Sequence, residues 1–402
     1  MKLLHTADWH LGKKLNNFSR FEEQIEVLDE ICEIADKEEV NAVLIAGDLF
    51  DSFNPSTDAE DLFYKTLKKL SSDGNRAVIA IAGNHDSPDR IESPNPLARE
   101  CGIIFAGYPD TKIPKFKLES GLEVTKSDKG FVELDLPNCD EPLRIILAPY
   151  ANEFRLKKFL GNEDPEAEMR DILQKKWKEI SEKYMDKNGV NILLGHFFII
   201  KKGEKIEENI DEERPILHIG GVQEIYSSNL PKNLHYAAFG HIHRKIIVDD
   251  QYFPIVYSSS PLAYSFSEAN QDKYVTTINV TDGKTEIQEI RIQKGRKLIR
   301  KSFRNPVEAE EWLTQNQNIL VELTLETENY LTTSQRKSLL QCHDGIITII
   351  PRVKNALNQT SGKRINLEQN IDELFEDYFE SKHNQMPNEE IKNIFKEIIS
   401  NS

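Results

Sequence analysis

Ala42-Val43-Leu44-Ile45-Ala46-Gly47-Asp48-Leu49-Phe50-Asp51 decides the fold class of this chain. Its first five residues are all aliphatic, which reads as a strand buried on both faces. A glycine ends the run and permits a sharp exit, so Asp48 and Asp51 turn toward whatever lies beyond the strand end. The pattern recurs in Val78-Ile79-Ala80-Ile81-Ala82-Gly83-Asn84-His85-Asp86, in Val190 to Gly195-His196, and in Tyr236 to Gly240-His241-Ile242-His243. Leu3-Leu4-His5-Thr6-Ala7-Asp8-Trp9-His10 does the same without the glycine. In open α/β sheets ligands bind beyond the carboxyl ends of the strands, so five such ends mark one rim where chemistry is expected.

Between these runs lie helical patterns such as Phe21 to Lys37 and Ala59 to Ser72, which implies a layered α/β core over residues 1–271. Lys112 to Pro137 reads as a hairpin excursion, and the charged Glu153 to Lys187 as a helical insertion on the outer surface. Residues 272–354 change character, with strand-like Tyr274 to Val280 and Ile319 to Leu325 around a helical Pro306 to Gln315, and read as a small α+β domain. Residues 355–402 open on a polar linker. Two apolar stripes follow, one from Ile365 to Phe379 and one from Ile391 to Ile399, the pattern of a helical tail that needs something to cover it.

With 402 residues, two or three domains are expected. The opening Met1-Lys2-Leu3-Leu4 runs straight into Asp8 and His10, which leaves no secretory signal, and no run is long enough to span a bilayer. Cys32, Cys101, Cys139 and Cys342 stand in neither metal-binding nor redox spacing, and a reducing cytoplasm is the expected location. A formal charge of −16 argues against a simple nucleic-acid binder, although bound divalent ions or a partner subunit would offset it. His5, His218 and His235 read as structural, and His343 and His383 as exposed.

Asp8-x-His10, Gly47-Asp48-x-x-Asp51, Gly83-Asn84-His85-Asp86, Gly195-His196 and Gly240-His241-x-His243 are each weak signals alone. Together and in this order they resemble the calcineurin-like metallophosphoesterases. The resemblance implies an α/β fold, a four-layer sandwich of two mixed β-sheets flanked by helices. It further implies that Asp8, His10 and His243 hold one metal ion, that Asn84, His196 and His241 hold a second, and that Asp48 bridges them. A donor set of imidazoles, carboxylates and one amide without thiolate suits two Mn²⁺ ions, with Mg²⁺ possible. Water activated between two such ions removes the need for a Ser or Cys nucleophile. His85 is implied as a catalytic non-ligand that stabilises the transition state or protonates the leaving alkoxide. That role needs an acidic neighbour to orient the ring, with Asp51 in the family position and Asp86 as the second candidate.

Leu4 to Gly12, Ala46 to Ser52, Ala82 to Ser87, Gly240 to His243 and Tyr257-Ser258-Ser259-Ser260-Pro261-Leu262-Ala263-Tyr264-Ser265-Phe266 are similar to the SbcD-type nuclease subunits, over the whole chain. That resemblance implies a nuclease domain over 1–271, a capping, DNA-contacting domain over 272–354, and a tail whose residues 363–402 dock on an SbcC-type ATPase subunit. It implies an ATP-dependent 3′ to 5′ double-strand exonuclease and a single-strand and hairpin endonuclease in DNA repair, recombination and replication, working as a homodimer within a heterotetramer. Arg291, Lys294, Arg296, Lys297, Arg300, Lys301 and Arg304 form a basic stretch without an acid, and Arg296, Lys297, Arg300 and Lys301 are its candidate DNA contacts. A metallophosphatase or phosphodiesterase for a smaller phosphoester is the alternative; protein phosphatases of the superfamily carry Arg-Gly and Glu where Ser52-Phe53 and Asp86 stand here. A non-catalytic scaffold would be expected to have lost ligands, and this chain retains the full set.

Overall fold

The computed structural model describes residues 1–157, 165–203, 224–327 and 331–353, with a few isolated positions beyond. The expected helical tail and its docking segment, with His218 and His383, therefore lie almost wholly outside the described residues.

The aliphatic runs form strands for the reason read from them: both faces are covered. Lys2–Thr6 (β1), Ala42–Ala46 (β2), Ala77–Ile81 (β3) and Ile103–Ala106 (β4) pair in parallel, β1 with β2, β2 with β3 and β3 with β4. A second sheet takes Glu123–Asp128 (β5), Phe131–Asp135 (β6), Leu143–Ala148 (β7), Val190–His196 (β8), Tyr236–Gly240 (β9), Lys245–Asp249 (β10) and Ile255–Ser258 (β11), in the order β10-β11-β9-β8-β7-β6-β5. The expected hairpin excursion is its antiparallel β5-β6 edge.

Tyr274–Thr281 (β12) and Lys284–Arg291 (β13) complete the first sheet, whose order is β13-β12-β1-β2-β3-β4. Residues 274–291, read from sequence as the start of the small α+β domain, are thus a return hairpin laid antiparallel along β1, with Lys2 opposite Asn279. Chain contacts group Met1–Lys301, Gln315–Leu323 and His343–Thr348 in one unit, and Ser302–Thr314, Thr324–Cys342 and Ile349–Ser402 in another.

Alternation along each strand distributes the apolar side chains between layers. Leu3, Leu44, Ile79, Ile145, Ile192, Leu194 and Ala238 fill the space between the sheets. The opposite face of the first sheet, with Leu4, Val43, Ile45 and Val78, is covered by Phe21–Lys37 (α1) and Thr57–Leu70 (α2) through Val27, Leu28, Ile31, Phe63 and Leu67. These recur at helical spacing, and Ser56 caps α2 by accepting from the Ala59 amide at 3.3 Å. Pro165–Tyr184 (α3) does the same for the second sheet: Met169, Leu173, Trp177 and Ile180 lie against Ile146, Leu193 and Phe239. The segment expected as a surface insertion is therefore the fourth layer of an α/β/β/α sandwich, its narrow apolar stripe hidden among charged residues.

Lys297–Phe303 (β14), Ile319–Thr327 (β15) and Ile346–Val353 (β16) form a three-stranded sheet in that order. Pro306–Gln315 (α4) is the expected helix, and Thr333–Cys342 (α5) is a further one. His343, expected at the surface, is buried, bonded through Nε2 to the Asn316 carbonyl and through Nδ1 to the Gly345 amide, both at 2.9 Å.

Candidate metal centre

Parallel pairing of β1 with β2 does not stop where the strands do. The Asp8 amide donates to the Gly47 carbonyl at 3.0 Å, His10 to Asp48 at 2.9 Å and Leu11 to Leu49 at 3.0 Å. This zipper carries two sequence motifs past the sheet edge side by side. Asp8, His10 and Asp48 take positive φ of 55°, 43° and 48°, and His241 one of 100°, conformations costing on the order of 1–3 kcal/mol each that cluster at functional sites.

Glycine serves the rim mainly by being small. Of Gly47, Gly83, Gly195 and Gly240, only Gly47 has a positive φ, at 84°. A Cβ on Gly83 would lie 2.1 Å from Asp48 Oδ1, and one on Gly240 2.0 Å from the Ala46 carbonyl oxygen. The glycines let the two sheet edges and the Asp48 carboxylate approach, a reason distinct from the sharp exit expected from sequence.

The side chains converge. Asp48 Oδ2 stands 3.5 Å from His10 Nε2 and 3.4 Å from His196 Nε2, between the two. On one side His10 Nε2 faces His243 Nε2 at 3.0 Å, and potential ligand atoms of Asp8, His10 and His243 lie within 4.8 Å of one another. On the other side Asn84 Oδ1 stands 3.0 Å from His196 Nε2 and 3.0 Å from His241 Nδ1. All seven residues named from sequence as metal ligands meet in this cluster. Asp8, His10, Asp48, His196 and His243 are buried; Asn84 and His241 remain partly exposed.

The donors are aimed from behind. His196 Nδ1 donates to the Ala46 carbonyl at 2.8 Å, which aims Nε2 into the cluster as the nitrogen whose lone pair, once its proton leaves, would meet a metal. His243 Nδ1 meets Glu268 Oε1 at 3.3 Å. The His241 amide donates to Asp8 Oδ1 at 2.8 Å, while Asp8 Oδ2 is buried without a hydrogen-bond partner. A buried carboxylate oxygen without a partner, beside two imidazole nitrogens 3.0 Å apart that can share one proton or turn both lone pairs to a cation, is a donor set that fits a divalent metal.

Charges in the cluster follow from burial and proximity. Burial pushes the Asp8 carboxyl up to about 6. Burial acts the same way on Asp48, but the adjacent His196 outweighs it and holds Asp48 well below the usual range. His196 in turn is raised to about 9, because Asp48 and Asp8 overcome its burial. Burial drives His10 well below its ordinary value. Burial is likewise outweighed at Glu268, where Lys273 and His243 bring the carboxyl down to about 2.

His85, the candidate catalytic residue, lies beside the cluster, its ring 4.9 Å from that of His10. Its Nδ1 donates to the backbone carbonyl of Asp51 at 3.0 Å, and its amide donates to Asp48 Oδ1 at 2.9 Å. The Asp51 carboxylate is turned to Lys13 Nζ at 2.8 Å. Asp86 accepts three backbone N–H bonds, from Leu49, Phe50 and Gly83 at 2.8–3.0 Å, and so fastens the second motif to the third. An Asp51 carboxylate oxygen lies within 4.8 Å of a His85 ring nitrogen, but the hydrogen bond that orients the ring is the one to the Asp51 main-chain oxygen.

The basic stretch is less open than its sequence suggested. Arg291 and Lys297 pair with Asp272 at 2.6 and 3.0 Å, Arg296 with Glu23 and Asp344 at 3.5 and 3.7 Å, and Arg300 with Glu322 at 2.8 Å. Sequence reasoning missed Glu268 and Lys273, and also Arg155, which is buried and donates to the Gly83 and Asp86 carbonyls at 2.8 and 2.7 Å, bracing the loop that bears Asn84 and His85. All three sit in polar stretches that read locally as surface.

Residues 1–245 match the family model described as calcineurin-like phosphoesterase, and the chain belongs to that family of phosphoester hydrolases. Its likeness to one curated member runs end to end: it is 33% identical over 409 residues, 100% of this chain and 98% of the other, to SbcD, the nuclease subunit of SbcCD in Bacillus subtilis (strain 168). Solved structures similar to it include a protein of Thermus thermophilus, at 11% identity and a TM-score of 0.37 over 72% of this chain and 98% of that one. A dimetal phosphatase from Danio rerio gives 12% identity and a TM-score of 0.39 over 73% and 99%.

Proposed function

We propose that this chain is the nuclease subunit of an SbcCD-type complex, a metal-dependent DNA nuclease that hydrolyses phosphodiesters at the seven-ligand cluster. The observation that carries the reading is Asp48 Oδ2 standing between His10 and His196, with one ligand set on either side, in a chain alike over its full length to a nuclease. Two divalent cations, Mn²⁺ by the chemistry of the donor set and Mg²⁺ as the alternative, supply Lewis acidity toward the phosphodiester and toward water when bound. Asp8, His10 and His243 would hold one, Asn84, His196 and His241 the other, with Asp48 shared. His85, its Nδ1–H anchored on the Asp51 carbonyl, would act from Nε2: as the imidazolium, with a proton on each ring nitrogen, it would stabilise the transition state or give the Nε2 proton to the leaving alkoxide and be left as the neutral Nδ1–H ring.

With an SbcC-type ATPase docked on residues 363–402, the chain acts in the cytoplasm as an ATP-dependent 3′ to 5′ double-strand exonuclease and a single-strand and hairpin endonuclease in repair, recombination and replication. It does so as a homodimer within a heterotetramer. No described helix is long and apolar enough to cross a membrane. Arg296, Lys297, Arg300 and Lys301 line the DNA path in this reading, the first three exchanging their acidic partners for phosphates.

The test is cleavage of end-labelled hairpin and linear duplex DNA by the purified chain, alone and with its ATPase subunit, with Mn²⁺ or Mg²⁺. Nicking at the hairpin and ATP-stimulated digestion from the 3′ end are expected. Hydrolysis of small phosphoesters with no action on either DNA would overturn the nuclease reading in favour of a phosphatase or phosphodiesterase.

A further inference from the structure

Behind the cluster, in the segment that follows β11, lie three buried polar residues that no step above uses, Ser260, Glu268 and Lys273, gathered against the candidate ligand His243. Glu268 ends the short turn Phe266–Glu268 and is 1% exposed; Lys273 immediately precedes β12 and is 7% exposed. Every polar atom of the pair is occupied. Glu268 Oε1 accepts from the Tyr264 amide at 3.0 Å and faces His243 Nδ1 at 3.3 Å, and Oε2 takes Lys273 Nζ and the Ser260 hydroxyl. The three protons of Lys273 have three acceptors: Glu268 Oε2, the His243 carbonyl at 2.8 Å and Ser260 Oγ at 3.0 Å.

We propose that Glu268 and Lys273 are positioning residues of the metal centre, fixing the tautomer and orientation of His243 so that its Nε2 carries the lone pair offered to a divalent cation. The inference rests on the metal-centre reading above. A buried ion pair is a poor device for stability alone, because its desolvation cost offsets most of its Coulombic gain. This pair grips one histidine twice: Glu268 holds the far ring nitrogen, and Lys273 holds both that carboxylate and the same residue's main-chain oxygen. Of the two imidazole nitrogens that face each other at 3.0 Å, His243 Nε2 is thereby kept free of its proton. A carboxylate behind a ligating imidazole also raises its basicity, and loss of such a partner typically lowers metal affinity about 10–100-fold.

The experiment is a Mn²⁺ titration of the full chain, followed by the EPR signal of free Mn²⁺, on wild type, Glu268→Gln and the double variant Glu268→Gln/Lys273→Met, which leaves no lone buried charge. Wild type is expected to bind two ions. In both variants one ion is expected to weaken by roughly 10–100-fold and the other to change by less than about threefold. Equal weakening of both ions, or two ions bound as in wild type, overturns the proposal. A wild type that binds no Mn²⁺ overturns the metal-centre reading itself and the proposal with it. Histidine ¹⁵N NMR of the wild-type chain tests the same point without any substitution: a proton on Nδ1 of His243 is expected, and a proton on Nε2 with a bare Nδ1 refutes the positioning role.

Discussion

Gly83→Ala isolates the steric argument for the rim. The new methyl would stand 2.1 Å from Asp48 Oδ1 and 2.2 Å from the Asp48 amide nitrogen, about 0.9 Å inside the 3.0 Å below which real Cβ contacts are essentially never seen. Asp48 cannot retreat freely, because its Oδ1 accepts from the His85 amide at 2.9 Å and its carbonyl is bonded to the His10 amide. Overpacking of this kind costs about 1–3 kcal/mol of stability. A displacement near 1 Å at a reacting centre costs about 10²-fold in rate. Gly83→Ala is therefore expected to fold, to unfold at a lower denaturant midpoint, and to lose about two orders of magnitude in Mn²⁺-dependent phosphodiester hydrolysis, with weakened metal binding. Chemical denaturation, EPR-detected Mn²⁺ binding and hydrolysis of bis-p-nitrophenyl phosphate measure the three. Wild-type turnover and metal binding in a folded Gly83→Ala chain would refute the idea that the glycine is there to admit the Asp48 carboxylate.

His85→Ala is expected to keep both metal ions and lose phosphodiester cleavage, whereas Asp51→Asn, which preserves the carbonyl that orients His85, is expected to lower turnover by less than about tenfold; metal analysis beside steady-state kinetics checks both, and a large loss in Asp51→Asn would restore the carboxylate as the orienting group. Asp86→Ala strands three buried N–H groups and should cost on the order of 3 kcal/mol in urea unfolding, while Asp86→Asn, whose single oxygen can serve the two amides now on Oδ2, should cost less. Acidification should weaken Mn²⁺ binding: ligation needs an unprotonated His196 Nε2, so the proton held up to about pH 9 must leave, and below about 6 a proton on Asp8 must leave as well. Calorimetry in buffers of different ionisation enthalpy should show proton release at pH 7 and affinity rising with pH, and a pH-independent affinity between 6 and 8 would contradict the assignment.

Much of the fold was legible because buried parallel strands announce themselves as aliphatic runs, and because the hard-metal donors sit directly at their ends. What was not legible has long-range causes. The pairing of Lys2 with Asn279 joins residues from opposite ends of the unit, and no local pattern distinguishes such a strand from the start of a new domain. The stripe of Met169, Leu173 and Trp177 is diluted by the charged residues of α3, so a core layer looked like a surface helix. The acids that pair with Arg291, Arg296, Lys297 and Arg300 come from Glu23, Asp272, Glu322 and Asp344, outside the stretch that looked free of acid.

The ligands themselves illustrate the same division. Residue type and order could nominate Asp8, His10 and Asp48, since those donors suit hard cations, but nothing in the spacing says that their backbones take positive φ. That conformation is unfavourable for each residue in isolation, and it persists because the two segments are bonded amide to carbonyl beyond the sheet edge, from Asp8 with Gly47 to Leu11 with Leu49. The free energy that offsets the strain comes from a sheet buried on both faces, whose aliphatic residues are the part of the chain most easily read. A centre built this way has its carboxylates and imidazoles gathered by the scaffold before any ion arrives, with the unpartnered Asp8 Oδ2 as the residual cost. A bound cation then gives that oxygen its missing partner and requires little rearrangement of the chain, which is how a rigid α/β scaffold comes to present a preformed metal site at its edge.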